Sequence, residues 1–511
     1  MKAVVTSFAR DFAKLVKAGG KNPALIINTE VDPRVITYQD LDDLISRCLV
    51  LFQSQGLKPG DTILALMPNA AETLVVYFAT VKGGYGFASL PCNASRREIS
   101  NWIDLVKPKR CVLTDLVGEE IRMEITNKKI PVLPVKADAR FEWLPVKKAP
   151  VVLGSSPCTY LATSGTTGEP KAMVLDSNRL WSSGRVFMGC HRLKDPASLR
   201  FWNYLPMSYL GGLFNLGLIP IGMGASIVID EAFSGRTFLQ FWQTVERYDI
   251  SALWFVPTIV HGLLKMAGHL RQEDIKKWTG GIKKAFLGTA PIDLATKQNF
   301  EETFGFKILE NFALSETQFF TSETPANIKY RVERSVGEVL PYTKVKLVPY
   351  HGDGNDTFEI LVKSPFLFLG YLGPDGRLSA PFNEDGYFFT GDCGHLDKHG
   401  LLIIDGRIRD IIKKGGHFVS LREVEVLAAR HEAVFEAAAV GIQDDFYGES
   451  YVLFVILKEK YSPSAEIDIS SFIHKNLVQY KWPEKIIVKR EFPRTASGKV
   501  MKHLLKQEIS S

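Results

Sequence analysis

Between Tyr38 and Thr114 the hydrophobic period of the chain switches repeatedly, and this alternation limits the fold more than any other feature. YQDLDDLISRCLVLFQSQGL carries the apolar stripe of an amphipathic helix and stops at Gly56, in the turn KPGD. DTILALM is a short buried strand. NAAETLVVYFATVKGG is a second helix, with Asn69 as its expected cap and Gly83-Gly84 as its stop. GFASL, SRREISNWIDLV and KRCVLT continue the series. Strands separated by helices of this length pair in parallel, with the helices on the faces of the sheet. TFLQFWQTVERYD (read as one helix), SALWFVP and KKAFLGTA repeat the pattern, and the fold class is α/β.

After about residue 335 the texture becomes hairpin-rich, in GEVLPYTKVKLVPY, TFEILVKS and the glycine-rich run to HGLLIIDGR. REVEVLAARHE, EAAAVGI, YVLFVILKE and SSFIHKNLVQY then form a small α+β unit. A chain of 511 residues exceeds what one core usually serves. The expected organisation is a large N-terminal domain over residues 1–408, made of helix-flanked sheets with a β-rich subdomain. A small α+β domain over residues 409–511 follows it.

Composition excludes several classes. Lys and Arg number 62 against 56 Asp and Glu, and the net +6 is spread without a basic block, so nucleic-acid binding gains no support. Six cysteines without CxxC spacing fit reduced thiols in a cytoplasmic protein, not a disulfide framework or zinc site. The start, MKAVVTSFARDFAKLVKAGG, lacks the apolar core of a signal peptide. Phe201 to Ile229 is free of charge, but it holds Asn203, Pro206, Asn215, Pro220 and five glycines. It reads as a buried turn, a helix and the strand ASIVID, not a membrane span.

The segment Thr163-Ser164-Gly165-Thr166-Thr167-Gly168-Glu169-Pro170-Lys171 carries the first chemistry. Six small or hydroxylated residues can turn backbone N–H groups and hydroxyls toward phosphate oxygens. Lys171 either adds charge to a polyphosphate or clamps the loop. The glycine spacing and the missing GK[ST] exclude a Walker-type loop, and with it a P-loop kinase or ATPase.

This segment resembles the phosphate loop of the adenylate-forming superfamily, which includes acyl-CoA synthetases, aryl-acid ligases, luciferases and peptide-synthetase adenylation domains. Other segments resemble that family's motifs in the same order. Gly288-Thr289-Ala290-Pro291 resembles GxAP, and Phe312-Ala313-Leu314-Ser315-Glu316, preceded by Asn311, resembles YGxTE. Tyr387-Phe388-Phe389-Thr390-Gly391-Asp392 resembles YxTGD, and Gly406-Arg407-Ile408-Arg409-Asp410 resembles the hinge motif. Pro493-Arg494-Thr495-Ala496-Ser497-Gly498-Lys499 resembles PxTxxGK.

The resemblance implies ATP-dependent conversion of a small carboxylic acid to an acyl-adenylate, then acyl transfer to CoA. A separate carrier protein's phosphopantetheine is the alternative acceptor, and a non-catalytic nucleotide-binding protein the alternative from another class. ATP or AMP would be held by residues 163–168, Lys171, Gly288, Thr289, Ala290, Asn311, Phe312, Ala313, Ser315, Asp392, Arg407 and Lys499. Asp392 would accept from the ribose hydroxyls; read alone, it serves equally as an Asx turn after Gly391. Glu316 would hold Mg²⁺, which takes few carboxylates beside phosphate oxygens. Lys499, with Lys171 and Glu316, would carry catalysis. Arg409 would be the hinge, with Lys413 and Gly416 on the face that admits the thiol.

Tyr209, Trp254, Val256, Gly288, Ala313 and Leu314 form the expected acid pocket, mostly apolar and suited to an apolar acid. Departures from the family pattern concentrate there. Phe312 and Ala313 replace a tyrosine and a glycine, Ser315 a threonine, and Tyr209 a frequent histidine. Leu210 stands where amino-acid-activating members place an aspartate, which disfavours a free α-amino acid, because its ammonium would lack a partner. Past the loop, Asp176-Ser177-Asn178 replaces a more usual Thr-His-x-Asn.

Overall fold

The architecture comes from a computed structural model, which describes residues 5–28, 32–145, 157–163, 171–350, 358–459, 461, 465–494 and 500–510; of Thr163, Lys171 and Ser510 only the backbone is described. A large N-terminal part contains a 13-stranded and an 8-stranded sheet, and a smaller C-terminal domain contains a 5-stranded one.

Thr37 and Asp40 form a capping box that starts the helix Tyr38–Ser54, and Gly56 follows its end at φ 74°. The helix Ala71–Gly83 is buried on every face, and Gly84 ends it in the left-handed region at φ 73°. Its expected cap is corrected. Ala70 occupies the N-cap, while the Asn69 side chain accepts from Met207 N at 2.8 Å and donates to Leu205 O at 2.8 Å. Asn69 therefore ties the helix start to a distant loop, a use its local sequence did not show. Strands Thr62–Leu66, Gly86–Leu90 and Arg110–Leu113 pair in parallel, as their spacing requires.

The charge-free stretch resolves into strand Arg200–Asn203, a π-helix Gly211–Leu218, a short helix Ile219–Gly222 and strand Ser226–Ile229. Asn203 Nδ2 donates to Gly212 O and Leu216 O at 3.0 and 3.2 Å, binding carbonyls of the wide helix. The segment read as one helix from Thr237 is two, Gly235–Leu239 and Phe241–Arg247, meeting at Gln240. The break lets Phe238 lie on Gly262, where a Cβ would come within 2.7 Å of its ring, while Phe241 and Trp242 enter the core.

Strands Ala252–Phe255, Lys284–Leu287 and Leu309–Leu314 lie side by side and parallel, so their carboxyl ends open on one edge. Open α/β sheets place their ligands at such an edge. Strand Leu401–Arg407 belongs to the large sheet and Ile411–Lys414 to the C-terminal one, with a single 3-10 turn, Ile408–Asp410, between them. None of the six cysteines forms a disulfide, and among the described residues no helix is long and apolar enough to cross a membrane.

Candidate active site

Asp392 lies in strand Phe388–Leu396 and Arg407 directly opposite it in Leu401–Arg407. Arg407 Nε is 2.9 Å from Asp392 Oδ1, and Asp392 is only 2% exposed. Its other oxygen, Oδ2, is buried without a hydrogen-bond partner among the described residues. Burial pushes this carboxyl up to about 6, against the pull of Arg407, and Glu316 pushes the same way. A half-satisfied buried carboxylate is an acceptor awaiting a donor. It is a strand residue, not an Asx turn.

Glu316 follows strand Leu309–Leu314 and is gripped from both ends. Phe368 N donates to its carbonyl at 2.8 Å, and the Tyr371 hydroxyl donates to its Oε1 at 2.5 Å. Tyr371 sits in strand Gly370–Leu372, which pairs with strand Lys171–Asp176 so that Tyr371 faces Met173 and Leu372 faces Ala172. Lys171 itself pairs with Thr163 across the hairpin whose connection is the Ser/Thr/Gly segment. Ser164 to Gly168 lie outside the described residues, yet the strand Lys171–Asp176 that follows them stands beside the residue that holds Glu316. Among the described residues no group of three or more His, Cys, Asp or Glu could hold a metal alone. A single carboxylate suits an ion shared with phosphate oxygens.

Gly288 ends its strand where Asn311 crosses it. A Cβ at Gly288 would lie 2.9 Å from Asn311 Oδ1, and Asn311 Nδ2 is a buried donor without a partner among the described residues. Thr289 holds φ 75°, and the turn Thr289-Ala290-Pro291 is exposed. Phe312 and Ala313 bracket a bulge, with the Phe312 ring edge-on to Phe320 at 5.1 Å. The bulge re-aims the segment that leads to Glu316. Ser315 gives its carbonyl to Gln318 Nε2 at 2.7 Å.

The expected acid-pocket residues divide. Tyr209, Val256, Ala313 and Leu314 are partly exposed. The Tyr209 ring folds over Gly211, where a Cβ would come within 2.5 Å of it, and burial pushes its hydroxyl up to about 12, so it stays a donor at neutral pH. Trp254 is different. It is fully buried, with its ring stacked on Phe286 at 4.6 Å and against Phe319 at 5.3 Å, and Tyr204 OH donates to its carbonyl. The Trp254 ring thus belongs to the core and is not an exposed lining residue. Asp176 caps the helix Ser177–Cys190 through Arg179 N at 2.9 Å.

Arg409 is exposed in the 3-10 turn. Lys413 is exposed and its N–H donates to Glu449 at 2.6 Å, while Gly416 turns at φ 87° with open space around a would-be Cβ. Lys499 lies outside the described residues. Sequence reasoning missed Tyr371: its partner is 55 positions away, so no local signal links them.

A family model described as AMP-binding enzyme matches residues 12–372, and one described as AMP-binding enzyme C-terminal domain matches residues 423–499. An oxalate–CoA ligase of Arabidopsis thaliana is 29% identical over 495 residues, spanning 93% of each chain. A sulfoacetate–CoA ligase of Cupriavidus necator is 27% identical across 88% of each. The ATP-bound structure of MatB from Rhodopseudomonas palustris superposes with a TM-score of 0.86 at 25% identity, over 98% of this chain and 99% of that one. This chain belongs to the AMP-binding enzyme family.

Proposed function

We propose that this protein is an AMP-forming acid–thiol ligase: it joins a carboxylic acid to the α-phosphate of ATP, releases pyrophosphate, and passes the acyl group to CoA. The observation that carries the reading is the buried Asp392 oxygen without a partner among the described residues, with Arg407 opposite and Glu316 nearby. Asp392 accepts from the ribose hydroxyls, and Arg407 hydrogen-bonds near ribose and phosphate. Asn311, Phe312, Ala313, Ser315 and the turn Gly288-Thr289-Ala290 enclose the base and α-phosphate. The orphaned Asn311 amide is suited to a polar edge of the nucleotide. Residues 163–168 and Lys171 hold the β- and γ-phosphates. Mg²⁺ would sit at Glu316, where it would neutralise phosphate charge; the Tyr371 hydroxyl fixes the carboxylate that would hold it.

The acid lies between Tyr209, Val256, Gly288, Ala313 and Leu314, with Trp254 supporting the wall. The Tyr209 phenol can donate to the acid's carboxylate. The Ala313 methyl narrows the pocket, so Ala313→Gly should admit bulkier acids. The CoA-ligase relatives favour CoA over a carrier protein as acceptor. The single turn at Ile408–Asp410 between two separate sheets supports a domain boundary at Arg409, with rotation bringing Lys499 to the adenylation step and Lys413 and Gly416 to thiol transfer. Six cysteines outside any disulfide support a reducing compartment such as the cytoplasm.

The test is a broad panel of carboxylic acids assayed by pyrophosphate release, with and without CoA. Acid-dependent release with acyl-CoA as product is expected. No acid-dependent release from any member would sink the reading.

A further inference from the structure

The strand Lys284–Leu287 ends at the Gly288 turn of the candidate active site, and its other end lines a cavity of about 350 Å³. Phe286 and Leu287 separate the last lining residue of the strand, Ala285, from Gly288, roughly 10 Å of extended chain. Ile282, Phe306, Leu309 and Ile328 supply apolar walls, the polar lining is three lysines, and among the described residues no acidic one lines the space.

Lys284 is the unusual member of this group. It is only 8% exposed, and among the described residues its ammonium has neither a hydrogen bond nor an ion pair. It lies 5.8 Å from the centre of the Phe286 ring. His191, behind it, is buried and held neutral by burial first and by Lys284 second. Lys307, on the rim, is 2.8 Å from Glu301 Oε2, and Glu301 also takes Arg331 at 2.8 Å, so that carboxylate is already shared. Lys283 is exposed. Burial pulls the Lys284 ammonium down to about 8, the cost of a cation without a partner.

A buried cation facing apolar walls matches an anion with an apolar body. Of the three lysines, Lys283 and Lys307 are exposed and Lys307 is already paired with Glu301, so the buried part of the cavity offers one cation and not the several donors or the arginine fork that a doubly charged phosphate takes. We infer that this cavity is a binding site for a small aliphatic monocarboxylate, whose carboxylate pairs with Lys284 and whose chain lies along Phe306, Leu309 and Ile328. The site is separate from the acid pocket and does not depend on the proposed reaction.

The test uses the full chain without ATP, treated with limiting 2,4,6-trinitrobenzenesulfonate, with modification of Lys284 read by peptide mass spectrometry. Octanoate at millimolar concentration should slow Lys284 labelling by about five-fold or more, as occupancy of one site predicts. Acetate lacks the apolar body and octanol the charge, so neither should protect. Exposed Lys475 should label at one rate throughout. Ile328→Glu places a rival carboxylate in the wall and should raise the octanoate needed by about ten-fold. Asp392→Ala should keep the protection, which separates this site from the nucleotide site. Equal protection by octanol, no protection by octanoate, or loss of protection in Asp392→Ala would overturn the proposal. So would a Lys284 that stays unlabelled without octanoate, because the cavity would then be closed to ligands.

Discussion

Asp392 and Arg407 face each other across neighbouring antiparallel strands, joined through one carboxylate oxygen at 2.9 Å while the other oxygen is buried and unpaired among the described residues. The arginine orients the carboxylate without using it up. This arrangement makes Asp392 an acceptor with spare capacity, and it makes the site sensitive to pH.

Asp392→Ala should raise the Michaelis constant for ATP by the equivalent of about 1.5–3 kcal/mol, the scale for a hydrogen bond to a charged group, and leave the order of preference among acids unchanged. Steady-state kinetics across an acid series check it; a changed acid preference with normal ATP affinity would place Asp392 elsewhere.

The carboxyl of Asp392 is pushed up from 3.8 to about 6, so in the folded enzyme it takes a proton as pH falls through about 6. ATP binding should weaken over that range in the wild type and respond less in Asp392→Asn. The sign for stability is the reverse. Ionisation is harder in the folded than in the unfolded chain, so the group costs nothing below 3.8 and its full amount above about 6. Asp392→Asn should therefore raise the urea midpoint more at pH 8 than at pH 4.

Glu316→Gln should reduce the rate and raise the Mg²⁺ concentration needed for half-maximal activity. Tyr371→Phe, which removes the hydroxyl 2.5 Å from Glu316 Oε1, should shift the same Mg²⁺ dependence by a smaller amount, about 1 kcal/mol. If neither variant's rate responds to Mg²⁺ differently from the wild type, Glu316 does not hold the metal.

Gly416 turns at φ 87°, so any side chain there carries left-handed strain of about 1–2 kcal/mol. Gly416→Ala should show only that strain, as lowered stability. Gly416→Leu should in addition slow thioester formation from supplied acyl-adenylate and spare adenylation, while Lys499→Ala should slow adenylation by about 10²–10³ and spare the second step. Timing each half-reaction separately distinguishes them; equal damage to both halves by both variants would refute two faces.

Lys297 is 2% exposed and lies 2.5 Å from Glu310 and 3.1 Å from Glu323. Lys297→Met leaves two buried carboxylates with one fewer cation and should destabilise the N-terminal domain by about 3–5 kcal/mol. Equilibrium urea unfolding measures it.

The sequence by itself determined the layout of this protein. Alternating helix and strand periods between Tyr38 and Thr114 forced a parallel sheet, because short parallel strands can be joined only by crossovers. The ordered segments around Gly288, Glu316, Asp392 and Arg407 marked the candidate site residues, because their chemical types and order are legible along the chain without knowing any contact. Tertiary structure decided what depends on contacts between distant positions. It set Tyr371 on Glu316 across 55 residues, took Asn69 away from its helix to a loop beyond residue 200, and turned the Trp254 ring into the core. It also left Lys284 buried without an anion among the described residues. Local sequence carries propensity and pattern, but whether a polar group finds a partner depends on which strands end together, and that is settled only when the sheets close.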